Sequence, residues 1–94
     1  MKEEVITKWL KRNEEMCFPM DSGIINVFTS EVGLMGLIVV RGNKCYVPTF
    51  NTGVNITQDS WIYFKKLKDG NMLCRNNADH SIGIKLSILQ YSTK

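Results

Sequence analysis

The chain has 94 residues, of which 44% are hydrophobic and 22% charged, and its formal net charge is +3. This length predicts a single domain over residues 1–94 with a modest core, and the small positive charge is well below that of a dedicated nucleic-acid-binding protein. No apolar run approaches the roughly eighteen residues that cross a bilayer, and the acidic N-terminus does not resemble a targeting peptide. We therefore expect a cytoplasmic protein without a membrane partner.

The N-terminal segment, residues 2–15, predicts a helix. Its apolar residues Val5, Ile6, Trp9 and Leu10 have a spacing that places them in one stripe of a helix of about three turns. Acidic residues begin the segment and basic residues follow its middle, as the helix dipole prefers. We expect this stripe, Trp9 included, to pack into the core.

The rest of the chain predicts β-structure. Pro19 prevents a helix from continuing, and short apolar or alternating runs follow it. Gly42-Asn43 and Asp69-Gly70 are typical hairpin turns, and alternation places Ile82, Ile84, Leu86 and Ile88 on one face of the last strand. The expected fold class is α+β, with an N-terminal helix followed by a curled antiparallel meander sheet or small barrel of five to six strands.

Residues for catalysis or metal binding are scarce. Cys17, Cys45 and Cys74 lie far apart in sequence, and His80 is the single histidine. This set predicts neither a zinc site nor a disulfide framework. No nucleophile–base pair or phosphate-binding motif is evident, so we expect a non-enzymatic protein without a cofactor.

The segment from Tyr46 to Trp61 predicts a ligand-binding loop. It places amide, hydroxyl and carboxylate groups between aromatic side chains, a combination suited to a nucleotide-derived ligand. The candidate ligand-binding residues are Tyr46, Phe50, Asn51, Asp59 and Trp61. Tyr46 or Trp61 would stack on the base and Asn51 and Asp59 would bind ribose hydroxyls. Arg41, Lys44 or Lys65 would meet phosphate. The alternative is a solvated loop above an aromatic core.

The same segment resembles the small phage proteins known as the second type of Thoeris anti-defence protein. The resemblance covers a G-K-x-Y-V-P-like turn and strand, an Asp-x-Trp, and a layout that begins with an amphipathic helix. The matching positions are Gly42, Lys44, Tyr46, Val47, Pro48, Asp59 and Trp61. It implies a non-enzymatic, oligomeric sponge in the host cytoplasm that sequesters a cyclic ADP-ribose-type immune signal and so counters host defence.

Two other functions remain open on the sequence. Lys65, Lys66, Lys68, Arg75 and Lys85 accompany aromatic residues and would suit single-stranded nucleic acid on a small barrel. A phage or mobile-element inhibitor that binds a host protein through an exposed sheet edge is the other possibility. Whatever the function, the many Met and aromatic residues of so short a chain predict a homo-oligomer.

Overall fold

The computed structural model describes residues 2–91 and shows nine strands in two sheets. The strands are β1 (Lys2–Leu10), β2 (Glu15–Pro19), β3 (Ser22–Thr29), β4 (Gly36–Arg41), β5 (Lys44–Tyr46), β6 (Val54–Asn55), β7 (Ile62–Lys66), β8 (Asn71–Asn76) and β9 (Ile82–Gln90). The five-stranded sheet has the order β1-β9-β3-β4-β5, and the four-stranded sheet has the order β2-β8-β7-β6. Strand pairs are antiparallel apart from β6 and β7, which run parallel.

The predicted N-terminal helix is wrong, because Lys2–Leu10 is a strand paired with β9. The apolar spacing fits a strand that is apolar on both faces. Ile6 and Leu10 point inward opposite Leu86 and Ile82, whereas Trp9 lies on the outer face and is 65% exposed. Placing Trp9 in the core was therefore also wrong. Val, Ile, Thr and Trp favour the half-buried surface of a sheet, and a long pairing with β9 outweighs a short helix.

The α+β fold class is wrong as well, since residues 2–91 contain no helix and the fold is all-β. The two sheets do not close into a barrel, and nine strands exceed the five to six expected. It follows that this part of the chain has no helix that is long and apolar enough to cross a membrane.

The hydrophobic core lies between the two sheets. The predicted stripe of β9 is confirmed, because its four alternate apolar side chains are buried. Phe64, Met72 and Cys74 of the four-stranded sheet belong to the same buried cluster. Period-two alternation in both sheets therefore builds a shared interior from the inward side chains, and the side chains of the outer faces do not contribute to it.

Asn76, a fully buried polar residue, ties two chain turns together at one end of the sheets. Its side-chain N–H groups donate to the carbonyl oxygens of Leu10 and His80, each at 2.9 Å, and its Oδ1 accepts from the Ala78 N–H at 2.9 Å. A buried amide with these partners carries no unsatisfied polar cost. It fixes the turn after β1 against the turn before β9.

Candidate functional site

Tyr46 lies on the outer face of the five-stranded sheet, at the end of a row of apolar residues. Tyr46 is opposite Val39 of β4. Val39 is opposite Ile24 of β3, and Ile24 is opposite Leu89 of β9. Residues directly opposite in a sheet share a face, so these side chains adjoin. Tyr46 is 51% exposed, and the other three are partly exposed. The row presents apolar surface that the core does not use.

A concavity of about 450 Å³ lies beside this row. Ile24 and Val39 contribute to its lining, together with Ser22, Arg41 and Tyr91 from the next row of the same face. Strand pairing sets that row, because Ser22 is opposite Arg41 and the Tyr91 N–H donates to the Ser22 carbonyl at 2.8 Å. Apolar surface, an aromatic ring, a hydroxyl and a guanidinium therefore meet at one place.

Asn51 has a structural role in the loop after β5. Its Oδ1 accepts from the Leu37 N–H at 2.9 Å, and its Nδ2 donates to the carbonyl oxygens of Leu37 at 2.8 Å and Val54 at 3.2 Å. Gly36 gives it room, since a Cβ there would lie 2.5 Å from the Asn51 side chain. In this arrangement both amide N–H groups are used, and binding ribose would require one to be released.

The other predicted site residues lie on either side of β6, with Phe50 in the connection before it and Asp59 and Trp61 in the connection after it. Phe50 is 68% exposed and Trp61 52% exposed, and Asp59 is exposed in a turn closed by the Ser60 N–H and the Thr57 carbonyl at 2.9 Å. Trp61 immediately precedes β7, whereas Tyr46 ends β5. Among residues 2–91, no strand pairing or hydrogen bond joins Asp59 or Trp61 to Tyr46.

Sequence reasoning named Tyr46 and Arg41 but missed Ile24, Val39 and Tyr91. Tyr91 continues the alternation of the last strand and so lies on the face opposite the buried stripe. What the sequence did not supply was the strand order, which sets β3 between β9 and β4 and so brings Tyr91, Ser22 and Arg41 into one row.

His80 belongs to a small exposed cluster of charged groups. Its Nδ1 lies 2.8 Å from an Asp79 carboxylate oxygen, and its Nε2 contacts the carboxylate of Glu31. The hydrogen bond to Asp79, followed by that to Glu31, raises the pKa of His80, and the bond to His80 lowers the pKa of Asp79. Within residues 2–91, no three metal-ligating side chains are arranged to hold an ion.

The cysteines are suited to packing. Burial raises the pKa of the Cys74 thiol to about 12. Burial also raises the pKa of Cys45, against a smaller opposing effect of Lys66. Nucleophilic cysteines need a lowered pKa, because the thiolate is the reactive form. Neither thiol has the electrostatic surroundings of a catalytic group.

Two of the five basic residues considered for nucleic acid are occupied. Arg75 forms an ion pair with Glu15 at 2.9 Å and donates to Asn77 at 2.7 Å. The Lys66 ammonium donates to the carbonyl oxygens of Met20 and Gly70, the second at 3.0 Å. These contacts reduce the cationic surface available to phosphates on the four-stranded sheet.

No protein-family model, curated protein or solved structure matches the chain at a significant level. The resemblance to the Thoeris anti-defence proteins therefore stays a prediction, and so does the function it implies.

Proposed function

We propose that the protein binds a small nucleotide-derived ligand without turnover, on the outer face of the five-stranded sheet beside Tyr46. The observation that carries this proposal is the half-exposed Tyr46 at the end of an apolar row that includes Val39 and Ile24. These two residues also line a concavity to which Arg41 contributes. The site refines the sequence-based hypothesis, which placed the ligand beside the loop from Tyr46 to Trp61.

Each part of a nucleotide has a matching group at this place. The base would lie on the floor of Ile24 and Val39, flanked by the rings of Tyr46 and Tyr91, since aromatic rings favour offset stacking. Arg41 would bind phosphate through paired N–H donors. The Ser22 hydroxyl accepts from the Gly42 N–H at 3.2 Å, which leaves its own proton for a ligand oxygen.

Sequestration, rather than catalysis, fits the chemistry of the surroundings. The lining of the concavity places no His, Asp or Glu beside the Ser22 hydroxyl to act as a general base, so we expect a ligand held there to be released unchanged. The resemblance to the anti-defence family supports a sponge for a cyclic ADP-ribose-type signal in the host cytoplasm. Binding of one signal molecule per site would then counter the immune pathway stoichiometrically.

The basic-sheet alternative has weaker physical support. Polynucleotide binding depends on many cations that release counterions. Arg75 and Lys66 already have partners, and the net charge is only +3. A compact ligand held mainly by neutral and aromatic groups would show a much smaller dependence on salt.

Calorimetric titration tests the proposal directly. The purified protein is titrated with cyclic ADP-ribose isomers, cyclic dinucleotides and a short oligothymidine at low and high salt. We expect a small nucleotide to bind at both salt concentrations and to be recovered intact after denaturation. Binding of the oligonucleotide alone, with a steep salt dependence, would favour the basic sheet. If none binds, the proposal fails, and a host protein becomes the partner to test.

A further inference from the structure

Strand β1 is an edge of the five-stranded sheet, and the direction of its backbone groups follows from its neighbours. The Ser30 N–H donates to the Gly83 carbonyl, and the Tyr91 N–H donates to the Ser22 carbonyl, each at 2.8 Å. The odd-numbered residues of β9 therefore direct their backbone N–H and C=O groups toward β3. Because these groups alternate along a strand, the even-numbered residues of β9 face β1.

The register then shows which backbone groups of β1 are free. Even-numbered residues of β9 are opposite even-numbered residues of β1, for example Leu86 opposite Ile6. The N–H and C=O groups of the odd-numbered residues consequently point to the open edge. These residues are Glu3, Val5, Thr7 and Trp9. Among residues 2–91 no backbone group pairs with this open edge, and a nine-residue edge strand of this kind is a template for another strand.

We propose that two copies of the protein associate through β1, in antiparallel pairing about a two-fold axis that passes beside Ile6. The two five-stranded sheets would become one continuous sheet across an isologous interface. Glu4 of each copy would then be opposite Lys8 of the other, because antiparallel pairing centred on Ile6 exchanges these positions. The occupant of the edge is therefore a second copy of this chain.

Charge and apolar pattern select this register from its neighbours. A slip of one residue would turn inward side chains outward, so only registers that keep the faces aligned compete. With Val5 opposite itself, Lys2 would meet Lys8 twice, and like charges directly opposite repel. With Thr7 opposite itself, Lys8 would meet Ile6 and no opposite charges would pair.

The register centred on Ile6 also uses the strand most fully. All residues of Lys2–Leu10 find a partner, and the four pairs of odd-numbered residues would form about eight backbone hydrogen bonds. Glu4 and Lys8 would occupy non-hydrogen-bonded pairs, in which opposing side chains come closest. Their side chains are exposed in the single chain, so they are free to pair across the axis.

A charge exchange tests the register. Sedimentation velocity at micromolar concentration is expected to show a dimer for the wild type. In Glu4→Lys and Lys8→Glu, each tested alone, like charges meet twice across the axis, and we expect dimerisation to weaken at least about tenfold. An equimolar mixture of these two variants pairs opposite charges at both contacts and is expected to form a heterodimer. The double variant E4K/K8E is expected to dimerise alone.

Two controls separate edge pairing from other causes. Lys68→Glu makes the same charge change on an exposed residue of the β7–β8 hairpin and should leave the dimer intact. Val5→Pro removes an N–H of the open edge without touching the β1–β9 ladder, so it should give a monomer with an unchanged circular dichroism spectrum. A monomeric wild type overturns the proposal, as does a dimer that the single charge variants leave unaffected or a variant mixture that stays monomeric.

Discussion

The side-chain amide of Asn51 pairs with both backbone groups of Leu37, with Oδ1 2.9 Å from the N–H nitrogen and Nδ2 2.8 Å from the carbonyl oxygen. The Asn51 amide therefore pairs with β4 beyond the end of β5, as a further residue of a neighbouring strand would. The chain between β5 and β6 passes from one sheet to the other, so β4 would otherwise lose its partner at this point. Asn51 therefore explains part of the polar composition of this loop.

Asn51→Ala should destabilise the protein, because it leaves the Leu37 backbone groups without their partner. We expect a loss of about 2–3 kcal/mol in the free energy of unfolding, measured by denaturant titration. Asn51→Asp should also destabilise, since it keeps the acceptor for the Leu37 N–H but places a carboxylate beside the Leu37 carbonyl. Gln58→Ala, on an exposed residue of the next loop, between β6 and β7, should have little effect. A stability of Asn51→Ala equal to that of the control would contradict this account.

Substitution of Asn76 should destabilise the protein more than substitution of Asn51, since Asn76 is fully buried. Asn76→Ala removes the donors to the carbonyl oxygens of Leu10 and His80 and leaves a cavity. We expect a loss of about 3 kcal/mol or more in the free energy of unfolding. Hydrogen exchange should show faster opening of the turns before β2 and β9. Unchanged exchange at those turns would mean that the amide is not what holds them together.

Local features of the fold were predictable from the sequence. The hairpins at Gly42-Asn43 and Asp69-Gly70 form as expected, with both glycines at positive φ, 59° and 92°. The inward stripe of β9 is also as predicted. These features depend on turn chemistry and on alternation within a few residues.

The parts that failed depend on partners distant in the chain. Lys2 is opposite Gln90, so β1 is a strand only because the other end of the chain lies beside it. The apolar pairs Val5–Ile6 and Trp9–Leu10 satisfy a helical period and an edge strand with two apolar faces equally well. At the candidate site, local composition was enough to name Tyr46 and Arg41. The sheet order brings Ile24 and Tyr91 close to them, and the sequence did not show that order.

The single histidine offers a clear pH measurement. Hydrogen bonds to Asp79 and Glu31 raise the pKa of His80 above its ordinary value of 6.5. A group with a raised folded-state pKa stabilises the protein fully below pH 6.5, and this contribution is lost as the pH rises through the folded value. NMR titration of the His80 ring should give a pKa above 6.5, and Glu31→Gln should lower it. A titration that Glu31→Gln leaves unchanged would exclude the contact as a cause.

The last prediction distinguishes a ligand site on the sheet face beside Tyr46 from one on the loop at Trp61. Tyr46→Ala should abolish calorimetric binding of the small nucleotide, and Arg41→Gln should weaken it about tenfold or more by removing the charged hydrogen bonds to phosphate.

Phe28→Ala is the matched control, because Phe28 is an equally exposed aromatic residue, 53% against 51% for Tyr46, in a different row of the same sheet face. If Trp61 stacks on the base, as the sequence-based hypothesis allows, Trp61→Ala removes binding; since Trp61 is half-exposed, the variant should stay folded. Loss of binding in Trp61→Ala with full binding in Tyr46→Ala would place the ligand on the loop and overturn the site proposed on the sheet. Loss in Tyr46→Ala alone, with both variants folded by circular dichroism, would support the sheet face.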